Sequence, residues 1–244
     1  MGIYDRHLLP TCVDLVMRAG QSRRVRREVL ASARGDVLEV GVGSGINLPF
    51  YPGGVSSIVG VDPSVRLLEM AAKRARPARG AARAAKPTLE LVLASAERLP
   101  FASARFDTVV STWTLCSIPD QARALAEVRR VLRPGGRLVF IEHGLAPDAS
   151  VRRWQSRLTP WWKPLSGGCH LDRKIDEMIS SAGFRFLSLS AAYQGFRVTG
   201  FTYRGVAEPE PGPAREPPVR ASPRTVGAGS RSDEASALAR RIER

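Results

Sequence analysis

The run Val37-Leu38-Glu39-Val40-Gly41-Val42-Gly43-Ser44-Gly45 sets three glycines at alternate positions directly after an apolar stretch. Glycines so spaced let a backbone pass close beneath a ligand with no side chain in the way. A dinucleotide fingerprint needs its third small residue one place later, where this chain has Ile46, so the spacing argues against a pyrophosphate ligand. Glu39 lies at the end of a strand expected to be buried, where a charge is costly unless it is hydrogen-bonded. It is placed to bind an amino group, directly or through water. Asp62 follows Gly41 by 21 residues and ends the next apolar run, about where doubly wound folds carry the acid that accepts both ribose hydroxyls. The plainer alternative is a tight turn with Asp62 as a helix N-cap, and it leaves the register of Glu39 with Asp62 unexplained.

Two histidines are candidate general bases. His143 closes Ile141-Glu142-His143-Gly144, at the carboxyl edge where open parallel sheets bind ligands. It reads either as a base or as a histidine that packs beneath the site. His170, in Gly167-Gly168-Cys169-His170, reads either as a base or as a loop residue beside an Asp172 N-cap. Arg173 and Lys174 then open a helix, the disfavoured end for cations, so they face solvent or serve an anion or nearby acid. Trp113, Trp154, Trp161 and Trp162 either line a pocket for a small apolar acceptor or fill the seam between a covering insert and the sheet.

These residues need a sheet to position them. From Asp36 onward short apolar runs alternate with helical stretches, the pattern of a parallel sheet with crossover helices. Strands are expected at 37–40, 57–61, 89–93, 106–111, 137–141, 184–189 and 198–206, a count of seven. Asp120 is the expected N-cap of a helix ending at Arg133, where Pro134, Gly135 and Gly136 stop it. An insert rich in tryptophan and proline spans about 144–170, and a helix at 173–182 ends at Gly183. Ahead of the sheet, Leu8, Leu9, Val13, Val16 and Met17 mark an amphipathic helix, followed by a basic one carrying Arg23, Arg24, Arg26 and Arg27. The expected organisation is an N-terminal helical cap at 1–35, a doubly wound α/β domain at 36–207 and a disordered tail at 208–244, which is too poor in apolar residues to offset its ordering entropy.

Composition narrows the partners. The net charge of +14 is carried mostly by arginines dispersed among alanines, which resembles a coding bias more than a nucleic-acid-binding stripe. Nucleic acid is therefore disfavoured, and a weak contact with an anionic membrane surface is left open. No run of about 18 uncharged apolar residues is present, and the N-terminus lacks the sections of a signal peptide. Cys12, Cys116 and Cys169 are too few for a disulfide framework and lack the close spacing of a zinc site. Reduced thiols, a cytoplasmic location and no metal are the expectation; oligomeric state is not legible.

Further motifs carry a family resemblance over about 4–207. They are Gly60-Val61-Asp62-Pro63, Ala94-Ser95-Ala96-Glu97-Arg98-Leu99-Pro100-Phe101, Phe106-Asp107, Leu115-Cys116-Ser117 and Val131-Leu132-Arg133-Pro134-Gly135-Gly136. With the glycine turn, these resemble the class I S-adenosylmethionine-dependent methyltransferases, and within them the branch that includes the alkyl thiol S-methyltransferases and their bacterial relatives. The resemblance implies a Rossmann-like sheet of order 3-2-1-4-5-7-6 with strand 7 antiparallel, S-adenosyl-L-methionine as cofactor, and methyl transfer to a small molecule, a thiol being favoured. Quinone-precursor or other oxygen and carbon acceptors are the rival, and a cofactor-binding protein without turnover is the non-enzymatic alternative. It implies cofactor contacts at Tyr4, Glu39, Gly41, Gly43, Gly45, Asn47, Asp62, Pro63, Ser95, Ala96, Glu97, Ser111 and Thr112. Tyr4 resembles the N-terminal tyrosine that closes over the cofactor, where a ring beside a sulfonium has a cation-π rationale. Ser95 stands where the family often carries Asp, so adenine contact falls to the Ala96 backbone and apolar packing. Ser111-Thr112-Trp113-Thr114 differs from the acid or Asn followed by two prolines typical of base-amine methyltransferases, which argues against nucleic-acid methylation.

Overall fold

Buried apolar runs and the amphipathic helices between them build a seven-stranded sheet. The computed structural model describes residues 11, 14, 15, 17, 20–76 and 87–211. Tyr4, most of the expected first helix and the tail beyond 211 lie outside the described residues. The elements are α1 (Gly20–Leu30), β1 (Gly35–Val40), a 3-10 turn (Leu48–Phe50), β2 (Val55–Asp62), α2 (Val65–Ala75) and β3 (Thr88–Leu93). They continue with β4 (Phe106–Thr112), α3 (Gln121–Val131), β5 (Leu132–His143), α4 (Ala149–Leu165), α5 (Ile175–Ser181), β6 (Phe184–Tyr193) and β7 (Phe201–Pro209). Strand order is β3-β2-β1-β4-β5-β7-β6, parallel from β3 to β5. β7 runs antiparallel to both its neighbours.

Alternation along the strands divides the core between two faces. Val37, Val110, Val139 and Ile141 point to the face covered by Val25, Val29 and Leu30 of α1. Leu38, Val109, Leu138 and Phe140 point to the opposite face, against Leu125 and Val128 of α3 and Ile175 and Ile179 of α5. Both faces of the central strands are covered, which is why these strands read as continuous apolar runs rather than as alternating ones.

Several boundaries move. Asp120 caps α3 as expected, its side chain accepting from the Arg123 N–H at 3.0 Å. The helix ends at Val131, however, and β5 begins at once. Phe106 pairs with Leu132 and Thr108 with Arg137. Arg133 to Gly136 therefore bulge out between those pairs, with Gly135 at a φ of 76°. The insert rich in tryptophan and proline contains the 17-residue helix α4, with Pro160 and Pro164 inside it. Gln155 ties α4 to the end of β5: its Oε1 accepts from the Ala146 N–H and its Nε2 donates to the Gly144 carbonyl. α5 starts at Ile175 with Lys174, not Asp172, at its N-cap position. β7 reaches Pro209, paired with Phe184, and the Glu210 N–H donates to the Gly183 carbonyl. Ordered pairing thus runs past residue 207.

Candidate functional site

The chain enters the glycine turn from β1 with Gly41, Gly43 and Gly45 at φ values of 67°, 54° and 75°, a region other residues adopt at a cost. Two of the three also answer to the protein's own packing. A side chain on Gly41 would collide with Thr114, and one on Gly45 would meet Leu48 and Ala71. Gly43 is different: a Cβ there would find no atom nearer than 3.9 Å. It is bare toward open space, as a position approached by a ligand should be.

Asp62, at the end of β2, binds the turn from the side. One carboxylate oxygen accepts from the Gly43 N–H at 3.0 Å and the other from the Ser64 N–H at 2.8 Å. Burial pushes its carboxyl above the ordinary value, and those two N–H groups pull against the shift. Ser64, rather than Asp62, is the N-cap of α2, accepting from the Leu67 N–H. Each oxygen of Asp62 keeps acceptor capacity for a further donor.

Glu39 is fully buried beneath the turn. Asn47 Nδ2 donates to its Oε1 at 2.6 Å and Tyr51 Oη to its Oε2 at 2.7 Å. Burial raises the carboxyl to about 7, against the lowering pull of Tyr51, Asn47 and the Arg26 cation. Arg26 reaches in from α1 to donate to Asn47 Oδ1 and Thr112 Oγ1, with its guanidinium 4.5 Å from the centre of the Trp113 ring. Burial lowers its own pKa to about 10, and Glu39 opposes that shift. Ser44 in the turn donates to Asp14, which also pairs with Arg74 at 2.9 Å. Arg26, Tyr51 and Asp14 had no motif to announce them. A signal for Arg26 did exist, because it precedes buried Val29 and Leu30 by three and four residues on one helix face.

The structure thus brings Glu39, Gly41, Gly43, Gly45, Asn47, Asp62 and Thr112 into one site at the carboxyl ends of β1, β2 and β4. The Ala94 N–H donates to the Asp62 carbonyl, so the segment holding Ser95, Ala96 and Glu97 starts beside it. There Ala96 is buried, while Ser95 Oγ accepts from the Glu97 N–H and Glu97 Oε1 accepts from the Asp120 N–H. Glu97 therefore anchors the start of α3. Pro63 is exposed. Ser111 turns the other way, its hydroxyl donating to Glu142.

That carboxylate organises a second cluster. Glu142 is fully buried and also accepts from the Thr114 and Cys116 N–H groups, which folds the loop after β4 around it. Burial raises its pKa, and those donors oppose the rise. Trp113 in that loop has a φ of 52°. Strain of this kind persists where the surroundings impose it, here the Arg26 guanidinium over its ring and the His143 ring at 6.0 Å. His143 Nδ1 lies 3.6 Å from Cys169 Sγ. His170 donates its backbone N–H to the Cys116 carbonyl, and its ring Nδ1 is 3.8 Å from Asp172. Burial lowers its pKa, as do Arg173 and Lys163. Arg173 turns inward and donates to the Leu115 carbonyl, whereas Lys174 pairs with Glu177 at the surface. Of the insert tryptophans, Trp154 and Trp161 are 60% and 75% exposed, so neither fills a seam between insert and sheet. Trp162 packs on Cys116, Cys169 and Leu171.

Comparison with known proteins agrees with this geometry. A family model described as a methyltransferase domain matches residues 38–140. Thiol S-methyltransferase TMT1B of Rattus norvegicus is 36% identical over 155 residues, covering 63% of this chain and 61% of that protein. The phosphatidylethanolamine N-methyltransferase of Cereibacter sphaeroides is 35% identical over 162 residues, covering 66% of this chain and 76% of that one. A SAM-dependent methyltransferase structure from Methanosarcina mazei superposes with a TM-score of 0.59 at 22% identity, over 72% of this chain and 92% of that one. The chain spans about three fifths of the length of the thiol S-methyltransferases it matches. A bare Gly43, an acid under the turn and an acid beside it suit the amino-acid and ribose parts of S-adenosylmethionine, and with these matches the chain belongs to the Rossmann-like S-adenosylmethionine-dependent methyltransferases.

Proposed function

We propose that this chain methylates a small thiol. The observation that carries the methyltransferase reading is the joining of Gly43, Glu39 and Asp62 in one site; the thiol reading is supported by the thiol S-methyltransferase relatives. When bound, S-adenosylmethionine supplies a methyl group on a sulfonium leaving group. Asp62 holds the ribose hydroxyls, the turn gives its backbone to the amino-acid part, and Glu39 sets the local charge. The segment 95–97 borders the adenine, and the described part of the N-terminal cap holds the glycine turn through Asp14, which accepts from Ser44.

Alignment of the acceptor supplies most of the acceleration. A thiol must also lose its proton, since its ordinary pKa is about 8.5. His170 is the proposed base, and His143, already engaged with Cys169, supports the site from below. Radiolabelled methyl transfer over a panel of alkyl thiols, phenols, quinone precursors, phosphatidylethanolamine and RNA tests the proposal. Label is expected in the thiols, with turnover by His170→Ala down about 10²-fold or more. Label confined to another class overturns the thiol assignment.

A peripheral contact with anionic lipid is part of the same reading. Among the described residues no helix is long and apolar enough to cross a membrane. α4, however, exposes Trp154 and Trp161 and carries Arg152, Arg153 and Arg157 along one groove, a pairing of rings and cations suited to a headgroup layer. Co-sedimentation with phosphatidylglycerol vesicles is expected in low salt and lost in high salt. No sedimentation in low salt rejects the contact.

A further inference from the structure

Cys116, His143 and Cys169 are distant in sequence and come from three segments: the loop after β4, the end of β5 and the connection from α4 to α5. Folding sets their ligand atoms within 4.8 Å of one another. Cys169 Sγ is 3.5 Å from Cys116 Sγ and 3.6 Å from His143 Nδ1. A tetrahedral zinc ion with bonds of about 2.3 Å to sulfur and about 2.0 Å to nitrogen spaces its ligands about 3.8 Å apart for a sulfur pair and about 3.5 Å for sulfur and nitrogen. Two edges of such a polyhedron are therefore already in place.

We infer that Cys116, His143 and Cys169 form a three-ligand site for a soft divalent cation of the zinc type. The surroundings fit that class. Both thiols are buried and His143 is only partly so, and three protein ligands leave the fourth tetrahedral position to water or another donor, as in zinc sites that keep an open place. Cys116 is held by its backbone before any metal arrives. Glu142 accepts from the Cys116 N–H and His170 donates its own N–H to the Cys116 carbonyl. Charge also closes. Two thiolates neutralise a dication, and the Glu142 carboxylate and Arg173 guanidinium nearby carry opposite charges. Soft thiolate ligands select zinc over magnesium or calcium. The spacing of the cysteines gave no hint of this, because the ligands converge only through the sheet. The site stands apart from the identity of the acceptor.

Reduced full-length protein is titrated anaerobically with cobalt(II), reading the sulfur-to-cobalt charge-transfer absorption, and zinc is then added to displace it. One equivalent should bind with that absorption, zinc should bleach it, and zinc alone should raise the melting temperature by joining three segments. Cys116→Ser, Cys169→Ser and His143→Ala should each weaken cobalt binding by roughly 100-fold or more, beyond the cost of losing an outer partner of a ligand. Cys12→Ser should change nothing. His143 is only partly buried, so its variant keeps the test sound if a buried cysteine variant unfolds. Absence of a one-to-one complex overturns the site. So does a complex without thiolate absorption, or one that survives His143→Ala unchanged.

Discussion

Asp62→Asn is expected to weaken the binding of S-adenosylhomocysteine at least about tenfold, and more when both ribose hydrogen bonds are lost, since each bond to a charged group contributes about 1.5 to 3 kcal/mol. The substitution is nearly isosteric, yet it cannot satisfy the site. Both carboxylate oxygens already accept backbone N–H groups, from Gly43 and Ser64. Whichever way the amide of Asn is turned, its NH2 faces one of these donors, so either the glycine turn or the start of α2 must shift. Asp62→Ala is the harsher change, because it leaves two N–H groups without their acceptor, at about 1 to 3 kcal/mol for each one that stays buried. The alanine variant should lose stability as well as affinity, and calorimetric titration of the asparagine variant separates the two. An unchanged dissociation constant in a folded Asp62→Asn protein would show that Asp62 takes no part in holding the ligand.

The sheet was legible because its signals are local. A strand buried on both faces announces itself as an apolar run, and β1, β2 and β4 each do so ahead of a turn. Strand order is not local, and it was available here only through the family's motifs. That Gly41, Glu39 and Asp62 meet around one turn could be read from spacing, since the strand ends that carry them lie side by side in a parallel sheet. α4 was hidden for a different reason. Pro160 and Pro164 argue for a break on propensity, yet the packing of Val151 and Thr159 and the bonds of Gln155 to the end of β5 hold the helix.

Residues that act across the sheet were the ones missed. Arg26 is one of four arginines in a short stretch, and only tertiary packing decides which of them turns inward. Tyr51 has no register with the glycine turn in sequence and meets Glu39 through the bend at Asn47. Glu142 could have been found by the argument that found Glu39, because an acid in an otherwise apolar strand end needs partners. Asp172 illustrates the opposite error: it has the right residue type and position for a cap, but the chain starts α5 two residues later and the carboxylate faces His170.

The affinity for S-adenosylhomocysteine should rise about tenfold between pH 6 and pH 8 and level off above. Glu39 carries the effect. Its carboxyl is raised to about 7 by burial, so near neutral pH the free chain is divided between protonated and ionised forms. A ligand bearing an ammonium at the glycine turn favours the carboxylate, and binding then expels the proton from whichever molecules still hold it. Below pH 7 that expulsion costs one proton per complex, a factor of ten in affinity per pH unit at the limit. The stability of the free chain should move the other way. The ordinary value of this carboxyl is 4.5, so the folded state binds the proton more tightly than the unfolded one. Its contribution is fully present below pH 4.5 and is lost as the pH rises through about 7, an effect of roughly 3 kcal/mol at most. Glu39→Gln keeps the volume and removes the titration. In that variant the affinity slope should vanish and the stability slope should shrink to what Asp62 and Glu142, also raised by burial, leave behind, with affinity at pH 8 well below that of the unaltered protein. Proton release is measured directly by calorimetry in two buffers of different ionisation heat at pH 6.5. If no proton is released, or if Glu39→Gln keeps the same pH profile, the carboxylate under the turn is not the group that senses the ligand's charge.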